Sequence, residues 1–497
     1  MNGIVSIPWV AWAVLFPLAS AILSFLLGQK RVLWAGIPGV FGTFLSVLLL
    51  SSQVWQQGPQ RYAIGGWRAP LGIEWHVDGL SIVMLLMTAV SGLFISIYAV
   101  GYYSRQSRGH KHSNNLFWPL WLFLWAALNG LFLSADLFNL YVTLELAGIA
   151  AVALVTLTGG QVALSAGLRY LLAALLGAMS YLMGVALLYA SFGVLDIRML
   201  SALAAPGPAV FISATLMTLG LLIKTALFPL HFWLPPAHAN APAPVSAMLS
   251  GLVVKGSFYL MMRLWVEVFP SSLWPIGGQF LGVLAGAAIL WGSIMALRQG
   301  SLKMTIAYST VAQIGYLFLF FPLASPRLFI AEGEVSGPGL YAFWGCVYQA
   351  LSHALAKAAM FMAAGNIMRV LGHDCIGRMD GVNQRLPLTL FAFGLSGVSL
   401  MGLPPSGGFV AKWLLLKAAL EKEHWGLVLI IVAGGLLASA YVFKVLKHAL
   451  AQSSQNDLLE RVPPTMDIPT LILATLSLLL GFTARPLLSL LTRGSIF

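Results

Sequence analysis

Residues 220–264, GLLIKTALFPLHFWLPPAHANAPAPVSAMLSGLVVKGSFYLMMRL, decide how the rest of the chain is read. Two lysines, Lys224 and Lys255, stand inside apolar runs on either side of a segment dense in proline and histidine. Pro229, Pro235, Pro236, Pro242 and Pro244 each lack a backbone donor and clash with the preceding turn, so no single straight helix joins the lysines. An ionisable residue within a membrane is costly, and broken backbone at that depth is tolerated only where protein or a water-filled cavity surrounds it. Together the two features point to an ion path.

Composition places this stretch in a membrane. Of 497 residues, 59% are hydrophobic and 8% are charged, against about a quarter charged in a soluble domain. The chain therefore reads as a polytopic membrane protein embedded in a lipid bilayer. Residues 7–27 read as a retained first helix, since no basic segment precedes them and Lys30 and Arg31 follow. Cys346 lies in an apolar run and Cys375 in a polar loop, without CxxC spacing, so neither a metal site nor a disulfide is expected. With no GxxxxGK and no GxGxxG, no nucleotide cofactor is expected either. The chain supplies no redox or hydrolytic centre of its own, and whether it serves an enzyme complex stays open.

Apolar stretches of about twenty residues begin near residues 7, 32, 77, 116, 136, 163, 208, 245, 275, 303, 340, 387, 426 and 465, fourteen in all. The seventh is interrupted over residues 229–244 and the twelfth over residues 402–408, within GLPPSGG. Two broken helices in similar places of two halves are the pattern of an inverted-repeat transporter, with its site near the breaks. The net charge of +12 raises the question of a nucleic-acid partner. Sorting the 27 basic residues answers it: fourteen fall in odd-numbered loops and nine in even-numbered loops and the C-terminus. The positive-inside rule then puts the odd loops in the cytoplasm and both termini outside, and no nucleic acid is needed. Four lysines, Lys224, Lys255, Lys357 and Lys412, fall inside spans. Residues 51–76 form an outer loop in which Tyr62, Ile64 and Trp67 around Gly65 and Gly66 suit a short hairpin of structural role.

In the fifth span, DLFNLYVTLELAGIAAVALVTL, Glu145 follows Asp136 by nine residues, about 13 Å deeper at helical rise. Asp136 suits a capping or interfacial place, and Glu145 does not. Burial and a nearby carboxylate act in opposite senses on a lysine's proton affinity, so an acid such as Glu145 could switch Lys224. A static ion pair is the alternative. Lys255 opens the eighth span as a relay group or as a lysine snorkelling from a helix end. His231 and His238 flank the break, either relaying protons or bonding freed carbonyls. Lys303 sits at the cytoplasmic mouth of the tenth span, chiefly as a positive-inside anchor, ahead of a polar stripe of Ser309, Thr310 and Gln313. His353 and Lys357, four apart, share one face of the eleventh span and fit a relay. Lys412 follows the second break as Lys224 precedes the first.

The stretches KTALFPLHFWLPPAHANAPAPVSAML, LKMTIAYSTVAQIGY, SHALAKAAMFMAAGNI and GLPPSGGFVAKW resemble the antiporter-like proton-translocating subunits shared by respiratory complex I, membrane-bound hydrogenases and Mrp-type cation/proton antiporters. The resemblance covers most of residues 75–450. It implies an all-α protein of about fourteen transmembrane helices, with two inverted five-helix repeats and broken helices 7 and 12. The implied division is 1–112 for helices 1–3 and the hairpin, 113–268 for the first repeat, 269–450 for the second, and 451–497 for helix 14. The family's buried ionisable residues fall on Glu145, Lys224, Lys255, His353, Lys357 and Lys412; Asp136, His231, His238 and Lys303 are accessory candidates.

Lys412 stands where the middle complex I subunit usually has glutamate, and no long lateral helix follows the fourteenth span, as one does in the distal subunit. The hairpin YAIGGWRAPLGIEWHVDGLS and the length look most similar to the D-type subunits of Mrp antiporters. The resemblance implies proton translocation within a hetero-oligomer of membrane subunits in a bacterial plasma membrane, exchanging protons for Na+. A proton-pumping subunit of a complex I-like NADH:quinone oxidoreductase or a membrane-bound hydrogenase is the alternative, and a stand-alone secondary transporter a third.

Overall fold

A computed structural model describes residues 8–28, 31–104, 111–324, 337–452 and 462–492. Lys30, Arg105, Arg108, Arg327, Arg461 and Arg493, which enter the charge count by loop, lie outside them. Thirteen described helices are long and apolar enough to cross a membrane. Spans 1–6 are Trp9–Leu27, Val32–Gln57, Gly79–Ser104, Leu116–Leu133, Leu137–Thr158 and Gly160–Phe192. Span 7 is Pro208–Thr225, resumed after a break as the short helix Leu234–Asn240. Spans 8–11 are Ala243–Val268, Ser271–Arg298, Leu302–Leu323 and Pro338–Leu371; spans 13 and 14 are Trp425–Leu450 and Pro464–Phe482. The twelfth span is made by two shorter helices, Pro387–Met401 and Gly407–Glu421, so the expected fourteen crossings are present.

The outer loop between spans 2 and 3 folds as a hairpin of β1, Gln60–Ala63, and β2, Glu74–Val77, paired antiparallel. Tyr62 lies opposite Trp75 with the rings stacked at 6.1 Å, a cross-strand pair of the kind that stabilises small sheets.

Polar residues decide which helices stand in the middle. In spans 8 and 10, which carry Lys255 and the Ser309/Thr310/Gln313 stripe, 94% of the most apolar window is buried inside the chain, against 28% in span 13. A helix carrying buried polar groups needs protein partners, whereas an apolar one can face lipid. The neighbour order repeats: spans 4 to 8 pack each on the next, and so do spans 9 to 13. Span 4 and span 9 differ in parity, so the second set crosses the membrane in the opposite sense to the first.

The two breaks are built alike. In span 7 the N–H of Ala226 bonds Ile223 O at 3.1 Å and that of Leu227 bonds Leu222 O at 3.2 Å. In span 12 the N–H of Gly402 bonds Ser399 O at 3.2 Å and that of Leu403 bonds Val398 O at 3.1 Å. Both are Schellman ends, in which a left-handed residue stops the helix and two orphan carbonyls find donors. Ala226 has φ 58° and Gly402 φ 81°. The residue types differ because the surroundings do: a Cβ on Gly402 would lie 2.6 Å from Lys412 Cδ, while Lys224, at the first break, is held by another partner.

Candidate functional site

The first part of the site joins spans 5 and 7. Asp136 caps span 5, accepting from Asn139 N at 2.8 Å; burial pushes its carboxyl up from the usual range. From that cap the helix carries Glu145 inward, and Lys224 reaches it from the last turn of Pro208–Thr225 with Nζ to Oε2 at 2.9 Å. The side chains are 6% and 15% exposed, so the pair is held at a low dielectric where its attraction is strong. Small residues make the room: a Cβ on Gly148 would sit 3.5 Å from Lys224 Nζ, and one on Gly177 3.1 Å from Lys224 Cγ. Trp233 stacks on Tyr170 at 4.1 Å and donates Nε1–H to Ile223 O at 2.9 Å, closing the broken end beside the lysine.

A cavity of about 20 Å³ touches Lys224, Gly148, Trp233, Val253, Gly256 and Ser257, room for about one water. It leads from the pair toward span 8, where Thr225 Oγ1 and Ser257 Oγ are 2.9 Å apart.

The second part centres on Lys255. It does not open span 8 but sits twelve residues inside Ala243–Val268 (255 − 243), and it is fully buried, so it cannot snorkel. A π-helical turn, Leu249–Val253, precedes it. Such a turn disturbs the regular carbonyl ladder and often marks a functional position. Lys255 Nζ donates to Ser250 O, and Ser250 Oγ bonds Thr310 Oγ1 on span 10 at 2.8 Å. From span 11, Lys357 Nζ donates to Ile306 O at 2.8 Å and to Ser309 Oγ. Neighbouring residues of span 10 thus bond toward both lysines.

One turn further along span 10, Gln313 accepts from Gln349 Nε2 at 2.7 Å and donates to Leu400 O at 3.3 Å. The same carbonyl accepts from Lys412 Nζ at 2.7 Å, and Lys412 also donates to Met401 O at 3.1 Å. Lys412 thereby crosses the second break to satisfy the end of the half-helix before it, with its ammonium 4.5 Å from the centre of the Tyr316 ring.

The structure therefore brings Lys255, Lys357 and Lys412 to one polar seam along span 10, while the small cavity beside Lys224 reaches Val253, Gly256 and Ser257 on span 8, the helix that carries Lys255. His353 is buried within the electrostatic reach of Lys255, Lys357, Lys412 and His238. Among the described residues, neither ring nitrogen of His353 or of His238 has a hydrogen-bond partner. His238 stacks on Phe361 at 4.8 Å. His231 lies toward the outside of the break, stacked on Phe228 at 5.4 Å, and among the described residues no bond joins it to the seam.

Two further sequence expectations need correction. Lys303 is not a surface anchor. It is 4% exposed and donates to Ala239 O at 3.4 Å and to Ala241 O, capping the short helix Leu234–Asn240 as a cation at a helix C-terminus does. Arg263, one of the nine basic residues that the fourteen-span reading puts in even-numbered loops or the C-terminus, is 5% exposed within span 8. It bonds Asp78 Oδ1 at 2.6 Å, Glu267 Oε1 at 2.7 Å and, through Nε–H, Tyr259 OH at 3.1 Å. The carboxyl of Asp78, pushed up by burial, is held below its usual range by the guanidinium. His76, 3.8 Å away, is lowered to about 4, mainly by burial. A cavity of about 530 Å³ opens beside this group, lined among others by His76, Arg61, Tyr259, Arg263 and Glu267. The signal for it was present in the sequence as a stripe of Lys255, Tyr259, Arg263 and Glu267 at intervals of four, with Asp78 leading span 3.

Buried acid and base groups in a seam across two broken-helix repeats match what comparison with known proteins finds. Residues 134–438 match the family described as NADH:quinone oxidoreductase/Mrp antiporter, transmembrane. The chain belongs to this family.

Among relatives, the N subunit of the NADH-quinone oxidoreductase of Desulforudis audaxviator is 38% identical over 396 residues, covering 79% of this chain and 75% of that one. The D subunit of the Na(+)/H(+) antiporter of Alkalihalophilus pseudofirmus is 28% identical over 498 residues, covering 98% and 95%. The fold also matches a chain in the structure of the Mrp complex from Dietzia sp., with a TM-score of 0.86, 24% identity, and coverage of 97% and 95%. Family membership makes this chain a multi-pass membrane protein of the kind that works beside other membrane subunits.

Proposed function

We propose that this chain is the proton-translocating subunit of a multisubunit Mrp-type monovalent cation/proton antiporter, equivalent to its D-type component, exchanging Na+ for protons across a bacterial plasma membrane. The observation that carries the reading is the buried line of charges from Glu145–Lys224 through Lys255 and Lys357 to Lys412. End-to-end similarity to D-type antiporter relatives supports the antiporter assignment, and the loop charges support both termini on the outer side.

In this mechanism a proton enters at the Glu145–Lys224 pair. Glu145 holds Lys224 charged; when the proton leaves the lysine, the carboxylate is left without a partner, and the next site responds to that change in field. Water in the cavity and the Thr225/Ser257 hydroxyls carry the proton toward Lys255. The Thr310–Ser250 and Ser309–Lys357 contacts take it into the second repeat, where His353 and Lys357 pass it toward Lys412 and the opposite side. Asp136 positions Glu145 by capping its helix, and Lys303 positions the break.

The test is Na+-driven proton movement in vesicles holding the assembled complex. Glu145→Gln should abolish it with assembly intact; undiminished movement would sink the proposal. The 38% identity to an oxidoreductase N subunit favours a second reading, a redox-driven proton pump. Co-purified partners discriminate the two: small Mrp-type membrane subunits support the first, iron–sulfur or flavin subunits the second.

A further inference from the structure

A separate polar group lies at the end of the bundle that the loop charges assign to the cytoplasm. Asn366 near the end of span 11, Thr389 in the first turn of span 12 and Asp467 in the first turn of span 14 converge there. Asp467 Oδ1 accepts from Thr389 Oγ1 at 2.5 Å and from Asn366 Nδ2 at 3.0 Å, and Nδ2 also lies 3.0 Å from Thr389 Oγ1. Asn366 is fully buried and Thr389 is 1% exposed, while Asp467 is half-buried. Among the described residues no basic side chain pairs with Asp467. Arg369, one turn beyond Asn366, instead donates to Gly101 O at 3.4 Å and lies 3.3 Å from Met466 Sδ.

Among the described residues, the fully buried Oδ1 of Asn366 has no hydrogen-bond partner. An unpaired buried acceptor is costly, and most are satisfied in proteins. Turning the amide about its terminal bond exchanges Oδ1 with Nδ2, since the two ends have nearly the same shape. In the turned state Oδ1 faces the carboxylate and hydroxyl oxygens, three hard donors carrying one negative charge. The amide N–H2 then occupies, in the present arrangement, the place of a positive ion.

We propose that Asn366, Thr389 and Asp467 form a binding site for a sodium-sized monovalent cation at the cytoplasmic end of the second repeat. Oxygen donors suit a hard cation, and a single carboxylate is too little charge for the usual Ca²⁺ cage. The half-buried side of Asp467 is the way in, and the cation replaces the amide as its partner. The proposal rests on the antiporter reading only in that it gives the exchanged cation a place to bind, and binding is measured separately from transport.

The experiment is equilibrium binding of radioactive sodium to the purified assembled complex, against a choline background. Asp467→Asn and Thr389→Val should raise half-saturating Na+ by about tenfold or more, the discrimination expected from losing one charge-assisted or hydroxyl ligand. Thr389→Ser, which keeps the hydroxyl, should bind as wild type. A wild-type complex without saturable binding overturns the site, as does an Asp467→Asn complex that binds Na+ unchanged. If Asp467→Asn does not assemble, Thr389→Val and Thr389→Ser decide between them, and equal half-saturation overturns the site. Saturable binding in a complex that shows no Na+-driven proton movement defeats the antiporter reading and leaves the site standing.

Discussion

Gly402→Ala isolates the geometry of the second break. At φ 81° an alanine is strained, by about 1–2 kcal/mol for an L-residue in the left-handed region. Its methyl would stand 2.6 Å from Lys412 Cδ and 3.4 Å from Cε, closer than the first contact can be, so the lysine stem must move. Moving it endangers the bonds from Nζ to Leu400 O at 2.7 Å and Met401 O at 3.1 Å. A hydrogen bond from a charged group contributes about 1.5–3 kcal/mol. Losing one, together with the backbone strain, amounts to about 2.5–5 kcal/mol. Ala226→Gly at the first break is the control. Lys224 is tied to Glu145 there, and relief of the left-handed alanine, about 1–2 kcal/mol, is partly offset by the greater freedom of glycine in the unfolded chain, about 0.4–1 kcal/mol. Thermal unfolding of the assembled complex and its proton flux in vesicles, followed with a pH-sensitive dye, would be measured for both. Gly402→Ala should lower the unfolding midpoint and cut flux, and Ala226→Gly should do neither. Wild-type stability and flux in Gly402→Ala would refute the view that this glycine makes room for Lys412.

Further outcomes follow from other contacts. Ser309→Ala leaves Lys357 with Ile306 O as its remaining acceptor on span 10, so flux should fall by about tenfold in complexes that assemble normally; unchanged flux would remove the serine from the path. Arg263→Gln strands the fully buried Asp78 and should cost about 3–5 kcal/mol, part of which Asp78→Asn in the same chain should restore, read by thermal unfolding. His76 is lowered from 6.5 to about 4 in the folded chain, so its contribution to stability is complete above pH 6.5 and is lost as pH falls through 4. His76→Gln should flatten that acid-side loss by up to about 3 kcal/mol, and an unaltered pH profile would contradict it.

Much of the fold was legible because the chain has few charges and two clusters of helix breakers. Apolar runs gave all fourteen crossings, and Pro229 and Gly402–Gly408 gave both breaks. The in-span lysines could be named for the same reason, since each interrupts an apolar run. Of their partners only one is suggested by the sequence, Glu145 for Lys224, and the structure holds that pair at 2.9 Å; the others are not. Glu145 and Lys224 are 79 residues apart, and nothing in either run says which helices touch. Lys303 and Arg263 read as interfacial because both stand near span ends in the sequence; only packing shows that one caps a buried helix end and the other holds Asp78. The π-helical turn before Lys255 has no sequence mark, because LSGLV would fit an α-helix as well.

The central claim is that one line of buried groups carries protons through both repeats. Lys357 stands in its middle, held between Ile306 O and Ser309 and within the field of Lys255. The decisive measurement is Na+-driven proton flux in vesicles containing the assembled complex with Lys357→Ala. Flux at the level of empty vesicles, with normal subunit content, is the predicted result, and flux equal to wild type would contradict it.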